Sequence, residues 1–144
     1  PITGSVQPKC SVYTETQGVY GNPLPNKLDT LPASGGTKAS IRYDIAQANF
    51  YLARITHPNS FSSSPTLNDS VAWTGSSVVG QVSVAGMSAY EAAKVISPIN
   101  VTTFDMTLAG STWFTVSSTA TYGYNKALPA GNYTAIIKAD CIAK

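Results

Sequence analysis

The chain is 144 residues long, with 11% charged residues, 43% apolar residues and a formal net charge of +2. That length is one domain able to bury a core, and the low charge argues against a disordered chain. The nine basic residues are scattered, so no nucleic-acid footprint forms, and no apolar run approaches the ~20 residues of a membrane helix.

Pro1 stands where a Met would, which reads as the start of a processed mature form. From Pro1 to Pro8 the chain alternates, with Ile2, Gly4 and Val6 against Thr3, Ser5 and Gln7. Proline cannot donate to a ladder, so this segment is predicted to be an edge or end strand. Lys9 to Thr16 continues the alternation, with Cys10, Val12 and Thr14 on one face. Gly18 to Pro32 holds three prolines and reads as loop. Ile41, Tyr43 and Ile45 predict a strand, and Tyr51–Ile55 a second one after a turn near Gln47–Asn49; a helix over Ile45–Leu52 competes, against its β-branched and aromatic content.

His57 to Pro65 reads as an exposed loop, which makes the single histidine, His57, a solvated residue and not a catalytic one. Val71 and Trp73 lead to a predicted turn at Gly75–Ser77, followed by a strand from Val78 to Val84. Ser88 with Glu91 three residues later resembles a capping box, so one short helix is expected within Met87–Ile96, ended by Pro98. Ile99 to Leu108 reads as a strand with a register break, since Ile99, Val101 and Thr103 face one way and Phe104, Met106 and Leu108 the other. Trp113 to Tyr124 alternates through Phe114, Val116, Ser118, Ala120 and Tyr122.

After the turn cluster Leu128–Asn132, the last strand places Tyr133, Ala135, Ile137, Ala139 and Cys141 on one apolar face. The sequence stops three residues after Cys141, with no following strand to cover its other edge. Seven to nine short strands punctuated by Gly, Pro, Ser and Asn predict an all-β sandwich of the immunoglobulin type.

Cys10 and Cys141 cannot by themselves build a four-ligand zinc site, and His57 has no neighbouring ligand spacing. A disulfide between them is the expectation, with two buried free thiols as the alternative. The bridge would close a very long loop, worth on the order of 5 kcal/mol by the chain-entropy argument, and implies an oxidising compartment. No acid pair, nucleophile elbow or phosphate-cradling loop is present, so no catalytic residue, metal or cofactor is assigned. The sequons at Asn68, Asn100 and Asn132 read as coincidence in a chain rich in Asn, Ser and Thr.

The two ends of the chain carry a resemblance. Pro129-Ala130-Gly131-Asn132-Tyr133-Thr134 resembles the turn before the final strand of chaperone–usher fimbrial subunits, and Ile2–Pro8 followed by Leu24-Pro25 is most similar to the major pilins of class 5 fimbriae. Ala143 departs from the penultimate tyrosine of some fimbrial lineages, and the pairing of the two ends by cysteines departs from class 5 major pilins. The resemblance implies an incomplete immunoglobulin-like sandwich (residues 9–144) preceded by a donor strand (residues 1–8). It also implies identical or related subunits, a periplasmic chaperone and an outer-membrane usher as partners, and a cell-surface location reached through the periplasm. Ile2, Gly4 and Val6 would then enter a neighbour's groove lined in part by Tyr133, Ala135, Ile137 and Ala139, a head-to-tail contact that builds a filament. The competing reading of the N-terminal strand pairs it within its own sandwich. Two other functions compete: a tip adhesin or carbohydrate-binding module using Trp73, Trp113 and the tyrosines, and a viral or phage capsid or decoration protein.

Overall fold

The computed structural model describes residues 1–4, 9–96, 100–123 and 126–144. Among them ten strands form two antiparallel sheets. They are β1 (Cys10–Thr16), β2 (Gly21–Leu24), β3 (Lys27–Asp29), β4 (Ala39–Ile45), β5 (Tyr51–Thr56), β6 (Val71–Val82), β7 (Val95–Ile96), β8 (Val101–Met106), β9 (Gly110–Tyr122) and β10 (Lys138–Ala143).

The long strand β9 is the spine of the first sheet. One of its edges takes β4 along Gly110–Val116 and then β3 along Thr119–Thr121, while β6 runs down the other edge. β1 pairs with the outer edge of β4, and β2 with β3. The second sheet has the order β10-β5-β8-β7. Its inner side chains, Ala53, Ile55, Phe104 and Met106, share one buried cluster with Ala39, Ile41, Tyr43, Ile45, Phe114 and Val116 of the first sheet. The two sheets therefore pack face to face as an all-β sandwich. Phe104 and Phe114 meet across it with ring centroids 4.2 Å apart, and Tyr43 stands edge-on to Phe114 at 5.5 Å. Each such fully buried aromatic or branched side chain contributes ~1.5–3 kcal/mol.

Strict period-two stretches fold as their pattern dictates. Ala39, Ile41, Tyr43 and Ile45 are all buried in β4, and Thr112, Phe114, Val116, Ser118, Ala120 and Tyr122 in β9; Tyr124 lies outside the described residues. The helical competitor over Ile45–Leu52 gives way to a turn in which Asn49 adopts a left-handed φ of 66°.

Elsewhere the fold corrects the sequence. The loop expected over Gly18–Pro32 contains the β2–β3 hairpin; Pro23 is tolerated because β2 is an edge strand. No turn forms at Gly75–Ser77: β6 is continuous, because Ser76 and Ser117 hydroxyls bond across the pair at 2.7 Å and Gly75 admits another side chain. β8 has no register break, since Thr102 turns inward with Phe104 and Met106 and the pairing with β5 is unbroken; Ile99 lies outside the described residues. The helix shrinks to α1 (Tyr90–Ala93) after a 3-10 turn over Ala85–Ala89. The capping box is not made: Ser88 donates to the Ala85 carbonyl, and Glu91 accepts the Val79 N–H at 3.0 Å and pairs with Lys94. Pro1–Gly4 belong to no strand, and Ser5–Pro8, Val6 included, lie outside the described residues.

Candidate functional site

The site is built where the free edges of the two sheets meet. β1 bounds the first sheet and β10 the second, and neither has a strand on its outer side among the described residues. The bond between Cys10 and Cys141 fastens these strands together, with Cα atoms 6.3 Å apart. Both cysteines are half-buried and pack against the core. The Tyr43 hydroxyl adds a second tie by donating to the Asp140 carbonyl at 3.1 Å. Burial drives the Tyr43 phenol pKa far above its usual value, so it stays a neutral donor.

Away from this clasp the edges part. The ladder of the predicted last strand begins only at Lys138; residues 133–137 pair with no strand and meet the loop after β5 through a bridge of Thr134 to Ser63 and the Ser62 N–H. Between this segment and the end of β1 lies a groove of about 330 Å³. Its walls are Thr14, Thr16, Gln17, Gly18, Tyr20, Ala39 and Ile41 on one side and Thr134–Ile137 on the other. A second opening of about 390 Å³ continues it past Gly18, Val19, Tyr20 and Leu28 to Gly131 and Tyr133. No charged side chain lines either part. Tyr20 bonds to the Ser118 hydroxyl at 2.7 Å, and burial raises its pKa, so it also presents a neutral phenol.

The alternation read from the sequence holds along this wall. Tyr133, Ala135, Ile137 and Ala139 are half-buried, while Thr134, Ile136 and Lys138 are exposed. Tyr133 lines the outer opening, Ala135 both parts and Ile137 the inner part; Ala139 lies beyond, packed on the core next to the clasp. An extended chain turns the main-chain groups of alternate residues to opposite sides. Thr134 spends its own on the loop, donating its N–H to the Ser63 carbonyl at 2.8 Å and accepting the Ser62 N–H at 2.7 Å, so by alternation those of Tyr133 and Ala135 turn the other way, towards the groove. Among the described residues they find no main-chain partner. Of the predicted donor residues, Ile2 is 103% exposed and Gly4 has no atom near its missing Cβ, so neither touches the groove of its own chain.

His57 is not the solvated loop residue expected. It is 3% exposed, its Nε2 bonds to the Ser77 hydroxyl at 2.7 Å, and its Nδ1 has no hydrogen-bond partner among the described residues. A Cβ on Gly75 would stand 2.9 Å from the imidazole Cγ, so the glycine makes the space. Burial lowers the His57 pKa; the Lys94 cation acts the same way, and main-chain groups of Asn100 and Ser76 oppose them. Among the described residues no group of three His, Cys, Asp or Glu is placed to hold a metal.

The two tryptophans do not form one platform. Trp73 pairs with inward-facing Ala120, whereas Trp113 pairs with Arg42 on the opposite face of the first sheet. Trp73 instead meets Phe61 at 4.6 Å, and Phe61 meets Tyr133 at 5.1 Å. Phe61 was invisible to sequence reading, because it sits in a Ser/Pro loop with no periodicity. No protein-family model, curated protein or solved structure matches the chain.

Proposed function

We propose that the chain is a structural subunit of an adhesive surface fimbria, an immunoglobulin-like sandwich that polymerises head-to-tail by donor-strand exchange. The observation that carries this reading is the uncharged groove, open at Gly18 and Gly131 and closed at the Cys10–Cys141 clasp, beside an N-terminal stretch whose Ile2 touches nothing. An edge with unpaired main-chain groups invites a strand from another chain. Pro1–Pro8 suits it, with side chains that are uncharged like the groove walls and with Ile2, Gly4 and Val6 on one face.

The clasp sets the direction of the guest strand. Pro8 leads directly into its own folded domain, which is too large for the groove and must stay outside the open mouth. Pro1 then points towards Cys141, and the donor runs antiparallel to β10. Eight extended residues reach ~26 Å, more than the five wall residues from Tyr133 to Ile137 require, which leaves length at the mouth for the link to the donor's own domain. The partners in this reading are further subunits, with a periplasmic chaperone and an outer-membrane usher during export through the periplasm to the cell surface.

Deletion of Pro1–Gln7 tests it. The expected product is a monomer that gains stability from an added peptide of residues 1–8. Filaments of unchanged stability from the truncated chain would refute the reading.

A further inference from the structure

Trp73 lies on the inner face of the first sheet, where a tryptophan is normally covered by the opposing sheet. Here it is only half-buried, because β5 ends at Thr56 and the chain leaves the second sheet before reaching it. The loop that follows does not seal the space. An open depression of about 460 Å³ remains between that loop and the start of β6. Phe61, Leu67, Val71 and Trp73 give it apolar surfaces, and Asn59, Ser60 and Thr66 stand around them. Those three polar side chains are exposed and make no hydrogen bond within the described chain. No charged side chain lines the depression.

We propose that this depression binds a neutral saccharide. A sugar ring has an apolar face of C–H groups carrying slight positive charge, which suits the electron-rich face of an indole. Its edge is a ring of hydroxyls, which suits free amides and hydroxyls around an aromatic floor. Phe61 meets the Trp73 ring at 64°, an edge contact that does not stack a second ring flat on the indole. Without a charged lining residue, nothing compensates the desolvation of a charged ligand such as a sialylated glycan or a phosphate. The proposal does not rest on the groove reading: Trp73 and the loop polar groups line no part of that groove, although Phe61 touches its wall residue Tyr133.

The test titrates the full chain with cellotetraose, mannotriose and N-acetyllactosamine, following the heat of binding by isothermal titration calorimetry, which does not depend on the tryptophan that is replaced. At least one sugar is expected to give a saturable change in the micromolar to millimolar range, about where single shallow sugar sites bind. Trp73→Phe should weaken it about tenfold or more, and Asn59→Ala several-fold. Trp113→Phe, on the other face of the sheet, should bind as the parent does. An unchanged thermal midpoint of Trp73→Phe separates lost binding from lost folding; should that variant melt early, Asn59→Ala at the exposed rim carries the test. The proposal fails if no sugar gives a saturable response up to about 20 mM. It also fails if binding survives both Trp73→Phe and Asn59→Ala, or if a proline-rich peptide saturates the site and the sugars do not.

Discussion

Ile2 offers the sharpest test of the assembly reading, because its surroundings in the lone chain and in a filament differ completely. In the lone chain it is 103% exposed, so Ile2→Ala changes monomer stability by no more than about 0.5 kcal/mol. Seated in a neighbour's groove, the same side chain is buried. Burial of an isoleucine contributes ~1.5–3 kcal/mol, and truncation in a packed site costs about 2–5 kcal/mol because a cavity is left. The groove wall is only half-buried before it is filled, which places the expected loss near the lower end. About 2–3 kcal/mol corresponds to ~30–150-fold in the dissociation constant between subunits. Polymers of the parent and of Ile2→Ala would be dissociated in guanidinium and followed by light scattering, with thermal melts of the monomers alongside. Thr3→Ala, on the opposite face of the segment, serves as a control and should dissociate as the parent does. Polymers of Ile2→Ala with the parental midpoint, or equal losses from Ile2→Ala and Thr3→Ala, would refute the reasoning.

Three further outcomes are expected. Reduction of the Cys10–Cys141 bond, which links residues 131 apart in sequence, should lower stability by on the order of 5 kcal/mol, seen as a lower denaturation midpoint with reductant present. Stability should fall as pH drops below 6.5, because His57 has a lowered pKa in the folded chain and the unfolded chain takes up its proton first; denaturant titrations from pH 7.5 to 5 should show this slope flattened in His57→Gln. Gly75→Ala should cost about 1–3 kcal/mol by crowding the buried imidazole, measured by urea unfolding, and a parental midpoint would mean that the ring moves aside freely.

The elements legible in the sequence are those whose buried face is written in apolar residues at a period of two. β4 and β9 are such strands, and their inward residues follow from alternation alone. Where inward positions are polar or small, the pattern vanishes. Thr102 in β8 faces the core, so counting only apolar residues invents a break there. Gly75, Ser76 and Ser77 in β6 look like a turn, yet each is held by a partner on β9 about forty residues away. The burial of His57 is not written in its neighbours for the same reason: Ser77 and Gly75, which bury it, come into reach only when the sheets assemble. The disulfide was legible because two cysteines left one intramolecular partner each.

The last stretch combines both cases. Its alternation is correct from Tyr133 to Ala139, so the face was readable, while the extent of the ladder was not, because pairing depends on a neighbour that alternation does not name. β10 is held by β5 from Lys138 onward and by the cysteine clasp at Cys141. Residues 133–137 have no ladder; among the described residues they are held by the bonds of Thr134 to Ser62 and Ser63, the contact of Tyr133 with Phe61 and the packing of Ile137 on the core. A strand that keeps its form and its apolar face without a ladder is costly alone, since ordered backbone with unpaired groups gains little to offset the entropy lost. A guest strand lying between this segment and β1 would satisfy the main-chain groups of Tyr133 and Ala135 and cover Ile137 in one step. In that reading the clasp would keep the arrangement available by holding the two edges together at one end, while the other end stays open to receive the guest.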